Sequence, residues 1–157
     1  MPANPLVIDS NLLVLLVVGR ASPKFIAMHK KLKQYTVADF DLLLRIVRPA
    51  PEVLVTPNTL AEASNLLGYI DEPARSRVYE IFKALIPTMV EQHIPSATAA
   101  GRAEFVRLGL TDSVLLEVTR PTTTLLTADL QLYLTASRAG KNAVNFNHVR
   151  VQEGILS

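Results

Sequence analysis

Four carboxylates stand out by their position in the chain. Asp9 closes the apolar run Val7-Ile8 and is followed by Ser10-Asn11; Asp129 closes Leu126-Thr127-Ala128 in the same manner. Glu62 lies in Thr59-Leu60-Ala61-Glu62, shortly after the apolar run Val53-Leu54-Val55, and Asp112 follows Leu110-Thr111. Carboxylates brought together without Lys or Arg repel one another and partly protonate. A hard divalent cation removes that conflict, and oxygen donors with no Cys or His among them suit Mg²⁺ or Mn²⁺. Such a site lowers the pKa of bound water, holds a phosphate oxygen and stabilises an in-line displacement. The chemistry expected is phosphodiester hydrolysis by two-metal-type water activation.

Each acid also has an ordinary structural use. Asp9 or Asp129 can cap a following helix. Thr59 and Glu62 have the spacing of a capping box, and Asp112 in a first helical turn would complement the helix dipole. Taken singly, those uses suffice. Taken together, they would place four of the chain's fourteen acids at one edge of the fold.

The elements that must position these acids follow from composition and pattern. The chain has 157 residues, 49% of them apolar and 19% charged, with no cysteine. At this length one domain spanning residues 1–157 can bury a full core without staples. The absence of cysteine removes disulfides, thiolate zinc sites and Cys nucleophiles, and fits a reducing compartment. The longest uninterrupted apolar run, Leu12–Val18, is far shorter than the roughly 20 residues a bilayer requires. No Lys or Arg precedes that run, and Asp9 and Asn11 interrupt what a secretory signal would keep apolar. A cytoplasmic, non-membrane protein is expected.

Runs with strand composition occur at Pro5–Ile8, Val53–Val55, Thr123–Thr127 and Ala143–Phe146, with Met89–Ile94 a weaker fifth. Between them the pattern predicts helices at Ser22 to Gln34, Val37–Val47, Pro57 to Gly68, Pro73–Ile86, Ser96–Leu108, Thr111 to Pro121 and Leu130–Ala139. Alternating elements of this kind predict an α/β fold, a three-layer α/β/α arrangement around a mostly parallel five-stranded sheet. In such sheets ligands bind beyond the carboxyl ends of the strands. Asp9 and Asp129 are expected there.

Read in order, Ile8-Asp9-Ser10-Asn11, then Thr56-Pro57-Asn58-Thr59-Leu60-Ala61-Glu62, then Leu110-Thr111-Asp112-Ser113, then Leu126-Thr127-Ala128-Asp129, the chain resembles the PIN-domain ribonucleases. The resemblance runs from Val7 to Asn145-Phe146. It implies that Asp9, Glu62, Asp112 and Asp129 bind Mg²⁺ or Mn²⁺ and carry catalysis, with Ser10, Asn11 and Thr127 in support. Ser10 stands where many members carry Thr, which keeps the hydroxyl. The implied activity is a metal-dependent endoribonuclease, including the toxin of a VapC-like toxin–antitoxin pair, with RNA as substrate and an antitoxin protein as partner.

Formal net charge is +2 and the isoelectric point about 9.0, which neither demands nor excludes nucleic acid. With four acids committed to metal, sixteen Lys and Arg would face ten remaining acids, a balance of +6. Lys24, Lys30, Lys31, Lys33, Arg45 and Arg48 concentrate in one stretch, either a solvated helix face or an RNA-phosphate patch. This stretch, about 22–48, is where PIN proteins form a helical hairpin on the substrate or dimer side. Its apolar residues Phe25, Ile26, Phe40, Leu43 and Leu44 are covered either by the chain's own sheet or by a second subunit, and a homodimer is expected. Tyr69, Tyr79 and Tyr133 are base-stacking candidates or core, and His29, His93 and His148 have no metal-ligand spacing.

Other functions have weaker claims. A non-toxin RNA-processing or defence nuclease would share the site. A non-catalytic PIN-like RNA- or protein-binding module would have no need of all four acids. A phosphoacceptor receiver domain would want a second acid beside Asp9 and a Lys after the last strand; Asp9-Ser10 and Asn145-Phe146-Asn147 supply neither.

Overall fold

The short apolar runs become strands because helices cover both of their faces. In the computed structural model, which describes residues 4–157, β1 (Leu6–Ile8), β2 (Val53–Val55), β3 (Val90–Glu91), β4 (Thr124–Thr127) and β5 (Ala143–Asn145) form one sheet in the order β3-β2-β1-β4-β5. Every pairing is parallel, with Leu6 opposite both Val53 and Thr124. The sheet is therefore wholly parallel rather than mostly so. The chain leaves β1 toward β2 on one side and returns to β4 on the other, so the strand order reverses between β1 and β4. That reversal opens a crevice at the carboxyl ends of β1 and β4.

The period-two alternation of β1 assigns the layers. Leu6 and Ile8 join a core with α1 (Ser10–Ala21), α2 (Lys24–Met28), α3 (Val37–Val47), α4 (Pro57–Leu67) and α5 (Ala74–Leu85). Val7 joins the opposite core with Leu115 and Leu116 of α8 (Leu110–Val118) and Leu132 and Ala136 of α9 (Leu130–Arg138). The three-layer α/β/α arrangement expected from the sequence is present.

The run Leu12–Val18 proves to be the middle of α1. It is buried on all sides, between the sheet and α3, α4 and α5. A helix surrounded in this way has no polar face to keep, hence its uniform apolarity. Phe40 of α3 lies so close to Gly19 of α1 that a Cβ at position 19 would fall among its ring atoms. Ile26, Phe40 and Leu43 are buried, and Phe25 and Leu44 lie against the same core. The apolar face of residues 22–48 is thus covered by the chain's own α1.

Two helix expectations and one strand expectation are corrected. The one at Ser22 to Gln34 stops at Met28, because His29 turns its ring to Leu67 and Lys30 N–H bonds to the Tyr69 carbonyl at 2.9 Å. Ser96–Leu108 divides into α6 (Ser96–Ala100) and α7 (Phe105–Leu108), with Gly101 closing the first. Phe146, expected in the last strand, instead begins α10 (Phe146–Gln152), capped by Asn145. Among the described residues no helix is long and apolar enough to cross a membrane.

Candidate active site

Each acid arrives at the β1/β4 crevice on an element whose start is fixed by its own sequence. Asp9 follows β1 and caps α1, its Oδ1 accepting Leu12 N–H at 3.3 Å. Asp129 follows β4 and caps α9, accepting Leu132 N–H at 2.9 Å. The capping use of both acids is therefore real, and it fixes where their carboxylates stand. Asp112 lies in the first turn of α8, after Gly109, whose φ of 84° is a conformation that favours glycine. Glu62 sits further along α4. The capping-box expectation for it is corrected: Thr56 caps α4, its hydroxyl accepting Thr59 N–H at 3.1 Å, and Glu62 is left exposed.

These side chains share one pocket of about 230 Å³, lined by Asp9, Glu62, Asp112 and Asp129 together with Ser10, Asn11, Leu108, Leu110 and Thr111. No Lys or Arg lines it. Thr127 stands behind it, completely buried, donating its hydroxyl to Asp9 Oδ2 and accepting Asp129 N–H at 2.9 Å. Ala128 N–H reaches the same Asp9 oxygen at 3.3 Å. Ser10 Oγ lies at the pocket wall, buried and without a hydrogen-bond partner, an orphan that costs roughly 1–3 kcal/mol unless a ligand or water serves it.

The electrostatics follow from that crowding. Burial pushes the Asp9 carboxyl up to about 6, against the lowering effect of Thr127 and the Leu12 and Ala128 amides, with the Asp129 charge adding to the rise. Asp112 is pushed up to about 7, first by burial and then by the charges of Asp129, Asp9 and Glu62. All three other acids act on Asp112, as their place in one pocket requires. Among the described residues, no group of three or more His, Cys, Asp or Glu side chains is already closed into an arrangement that could hold a metal ion.

No family model matches the chain. No curated protein matches it either. A solved structure described as a domain of a functionally unknown protein from Methanocaldococcus jannaschii DSM 2661 is similar at 13% identity, over 91% of each chain, with a TM-score of 0.45. At that level the likeness carries nothing about function.

The basic stretch lies elsewhere. None of Lys24, Lys30, Lys31, Lys33, Arg45 and Arg48 lines the pocket, although all six are exposed. Helix α4 meets the pocket at Glu62, midway along it, and its five further residues end about 8 Å beyond. Lys30 and Lys31 meet its far end, Lys30 through the Tyr69 carbonyl and Lys31 over the Tyr69 ring at 4.5 Å. Arg45 faces Glu153 at 3.8 Å.

The tyrosines and histidines divide similarly. Tyr79 donates to the Ser64 carbonyl at 2.6 Å, joining α5 to α4, and Tyr133 stacks edge-on against His148. His29 is buried, its ring held between the Leu67 carbonyl and Lys31 N–H. Sequence reasoning missed the apolar wall of Leu108 and Leu110 and the backbone of Ala128. Gly109 was the available signal for the first, since a turn there points two flanking leucines toward the strand edge.

Proposed function

We propose that the chain is a Mg²⁺- or Mn²⁺-dependent nuclease that hydrolyses RNA phosphodiester bonds at the pocket formed by Asp9, Glu62, Asp112 and Asp129. The observation that carries the proposal is the meeting of four carboxylates from four separate chain segments in one pocket that no cation lines. The PIN resemblance of the sequence supplies RNA as the substrate class.

The donor set suits a hard divalent ion: carboxylate and hydroxyl oxygens, with no sulfur and no imidazole. Asp9, Glu62, Asp112 and Asp129 would hold it, the exposed Glu62, which caps no helix, being the one able to swing inward. When bound, the ion would supply a water of lowered pKa and a counter-charge for the phosphate. Asp9 is the fixed member, held by Thr127, Ala128 and Leu12. Ser10 Oγ offers an unspent donor to a phosphate oxygen or to water. Leu108 and Leu110 give one wall an apolar surface.

The test is cleavage of single-stranded RNA with and without Mn²⁺ by the wild type, Asp9→Asn and Asp112→Asn. Metal-dependent cleavage that falls at least a hundredfold in both variants, with their folds intact, is the expected result. Undiminished cleavage in both would overturn the site, and no cleavage by the wild type would overturn the activity. A toxin role is tested separately by growth arrest on expression, relieved by co-expressing the product of an adjacent gene.

A further inference from the structure

The C-terminal helix α10 is joined to the pocket by a continuous run of hydrogen bonds. It begins at a buried ion pair. Arg150 of α10 is 6% exposed and Asp39 of α3 is 0% exposed. Arg150 Nε donates to Asp39 Oδ1 at 2.6 Å and Nη2 donates to Asp39 Oδ2 at 3.2 Å, a two-pronged geometry. Nη2 also donates to the Gln34 carbonyl at 2.8 Å, and the guanidinium lies over the Tyr35 ring at 5.0 Å. Asp39 is itself held by Thr36 N–H at 2.8 Å, so the pair is anchored on both sides.

Arg150 Nη1 donates to Asn147 Oδ1 at 2.9 Å. A guanidinium has only donors, so this contact fixes which end of the Asn147 amide faces it. The amide nitrogen therefore faces the other way, donating to the Ala128 carbonyl at 3.3 Å. That carbonyl belongs to the peptide joining Ala128 to Asp129, whose N–H donates to Thr127 Oγ1 at 2.9 Å, and the Thr127 hydroxyl in turn donates to Asp9 Oδ2.

We infer that Asn147, oriented by the buried Arg150–Asp39 pair, is a positioning residue for the metal site, setting the peptide that joins Ala128 to Asp129. The inference rests on the proposed metal-dependent reading. Asn147 is not among the residues lining the pocket, and it acts only through Ala128. An ion pair buried at the base of a polar run suits this role, since it is costly to break and holds one geometry.

The experiment is Asn147→Asp. The new carboxylate still accepts from Arg150 but cannot donate, and it opposes an oxygen to the Ala128 carbonyl. Two measurements are made. Amide exchange of Asp129, the N–H of the peptide whose carbonyl Asn147 holds, is expected to quicken at least tenfold in the metal-free protein, with thermal stability near that of the wild type. Mn²⁺ titration by calorimetry is expected to show at least tenfold weaker binding. Added negative charge by itself would tighten cation binding, so the two explanations predict opposite signs. Unchanged exchange at Asp129, or Mn²⁺ binding as tight as wild type or tighter, would overturn the inference. Asn147→Ser, which reaches neither partner and adds no charge, repeats both measurements should the aspartate variant fail to fold. If the wild type itself binds no Mn²⁺, it is the metal-dependent reading that falls, and the exchange rates alone then decide whether Asn147 sets the Ala128–Asp129 peptide.

Discussion

The hydroxyl of Thr127 donates to the carboxylate of Asp9. The same oxygen accepts the backbone N–H of Asp129 at 2.9 Å, so the last residue of β4 ties together two acids that reach the pocket from different strands. Its hydrogen is committed to Asp9, because the Asp129 amide occupies the accepting side. Ionised Asp9 depends on that donor to offset its burial.

Replacing Thr127 with Val, nearly the same shape without the hydroxyl, should raise the Asp9 carboxyl above its present value of about 6. It should also cost roughly 1–3 kcal/mol of stability, the usual penalty for orphaning a buried partner. Thr127→Ser keeps the donor and should keep the Asp9 titration. Carbon-detected titration of Asp9, with urea unfolding alongside, checks both. An Asp9 titration unmoved in the valine variant would show that the hydroxyl does not set it.

The crowded acids give the metal-free protein a definite pH dependence. Asp112 titrates near 3.8 when unfolded and at about 7 when folded, and Asp9 near 3.8 and at about 6. Both folded values are raised, so between pH 4 and 7 the folded chain holds more protons than the unfolded one. Stability must then fall as pH rises through that window. The Asp112 contribution, discounted for its partial exposure, is of order 2 kcal/mol. Thermal melts should therefore show the metal-free protein more stable at pH 5 than at pH 8. Asp112→Asn should flatten much of the slope and be more stable than wild type at pH 8. Mn²⁺ should restore the wild type at pH 8 and release protons on binding near pH 7. A melting temperature that rises between pH 5 and 8 without metal would contradict the crowding.

Glu62 and Asp129 should separate stability from metal binding. Asp129 caps α9, so Asp129→Ala should cost about 1 kcal/mol, whereas Asp129→Asn keeps a capping oxygen and should cost only a few tenths. Glu62 is exposed in the body of α4, whose cap is Thr56, and Glu62→Gln should leave stability within about 0.5 kcal/mol. Asp129→Asn and Glu62→Gln should each weaken Mn²⁺ binding at least tenfold. Urea unfolding paired with Mn²⁺ calorimetry reads the two effects independently. Unimpaired Mn²⁺ binding in Glu62→Gln would remove Glu62 from the ligand set.

Three of the four acids were legible because each stands at an element start, and starts leave local marks: a β-branched or apolar run that ends, a cap, a glycine. Glu62, in the body of α4, was legible only through the Thr56-Pro57 start before it. What lay beyond local marks was missed. The helix Ser10–Ala21 shows no 3.6-residue alternation because tertiary structure surrounds it completely, so periodicity had nothing to report. The helix opening at Ser22-Pro23 looked longer than it is. The capture of His29 by Leu67, 38 residues away, ends it, and no local propensity encodes that contact. The pairing of Asp39 with Arg150 spans 111 residues and joins a helix start to a helix that was not expected at all. Asn145-Phe146-Asn147 did carry a signal. An Asn whose side chain can accept from the amide two residues on is a helix-start pattern, and the apolar Val144 and Phe146 beside it favoured the strand assignment.

The basic stretch provides the sharpest contrast between sequence and structure. Concentrated lysines near a nuclease-like motif suggest a phosphate track, yet Lys30 and Lys31 sit against Tyr69, just past the end of α4 and outside the pocket lining. A dinucleotide RNA held by the pocket, which no Lys or Arg lines, has little reason to touch them. Replacing Lys30, Lys31 and Lys33 together with serine should leave its cleavage within twofold. The slope of log affinity against log salt should also be unchanged. Were the three lysines phosphate contacts, that slope would fall by about 0.7 for each one lost on a single strand. The substitution should disturb the fold little, because the Lys30–Asp71 pair at 3.7 Å is exposed on both sides and such pairs contribute under about 1 kcal/mol. A shallower salt slope in the triple variant, with cleavage reduced in proportion, would return these lysines to the substrate path and require RNA to wrap from the pocket to the far end of α4.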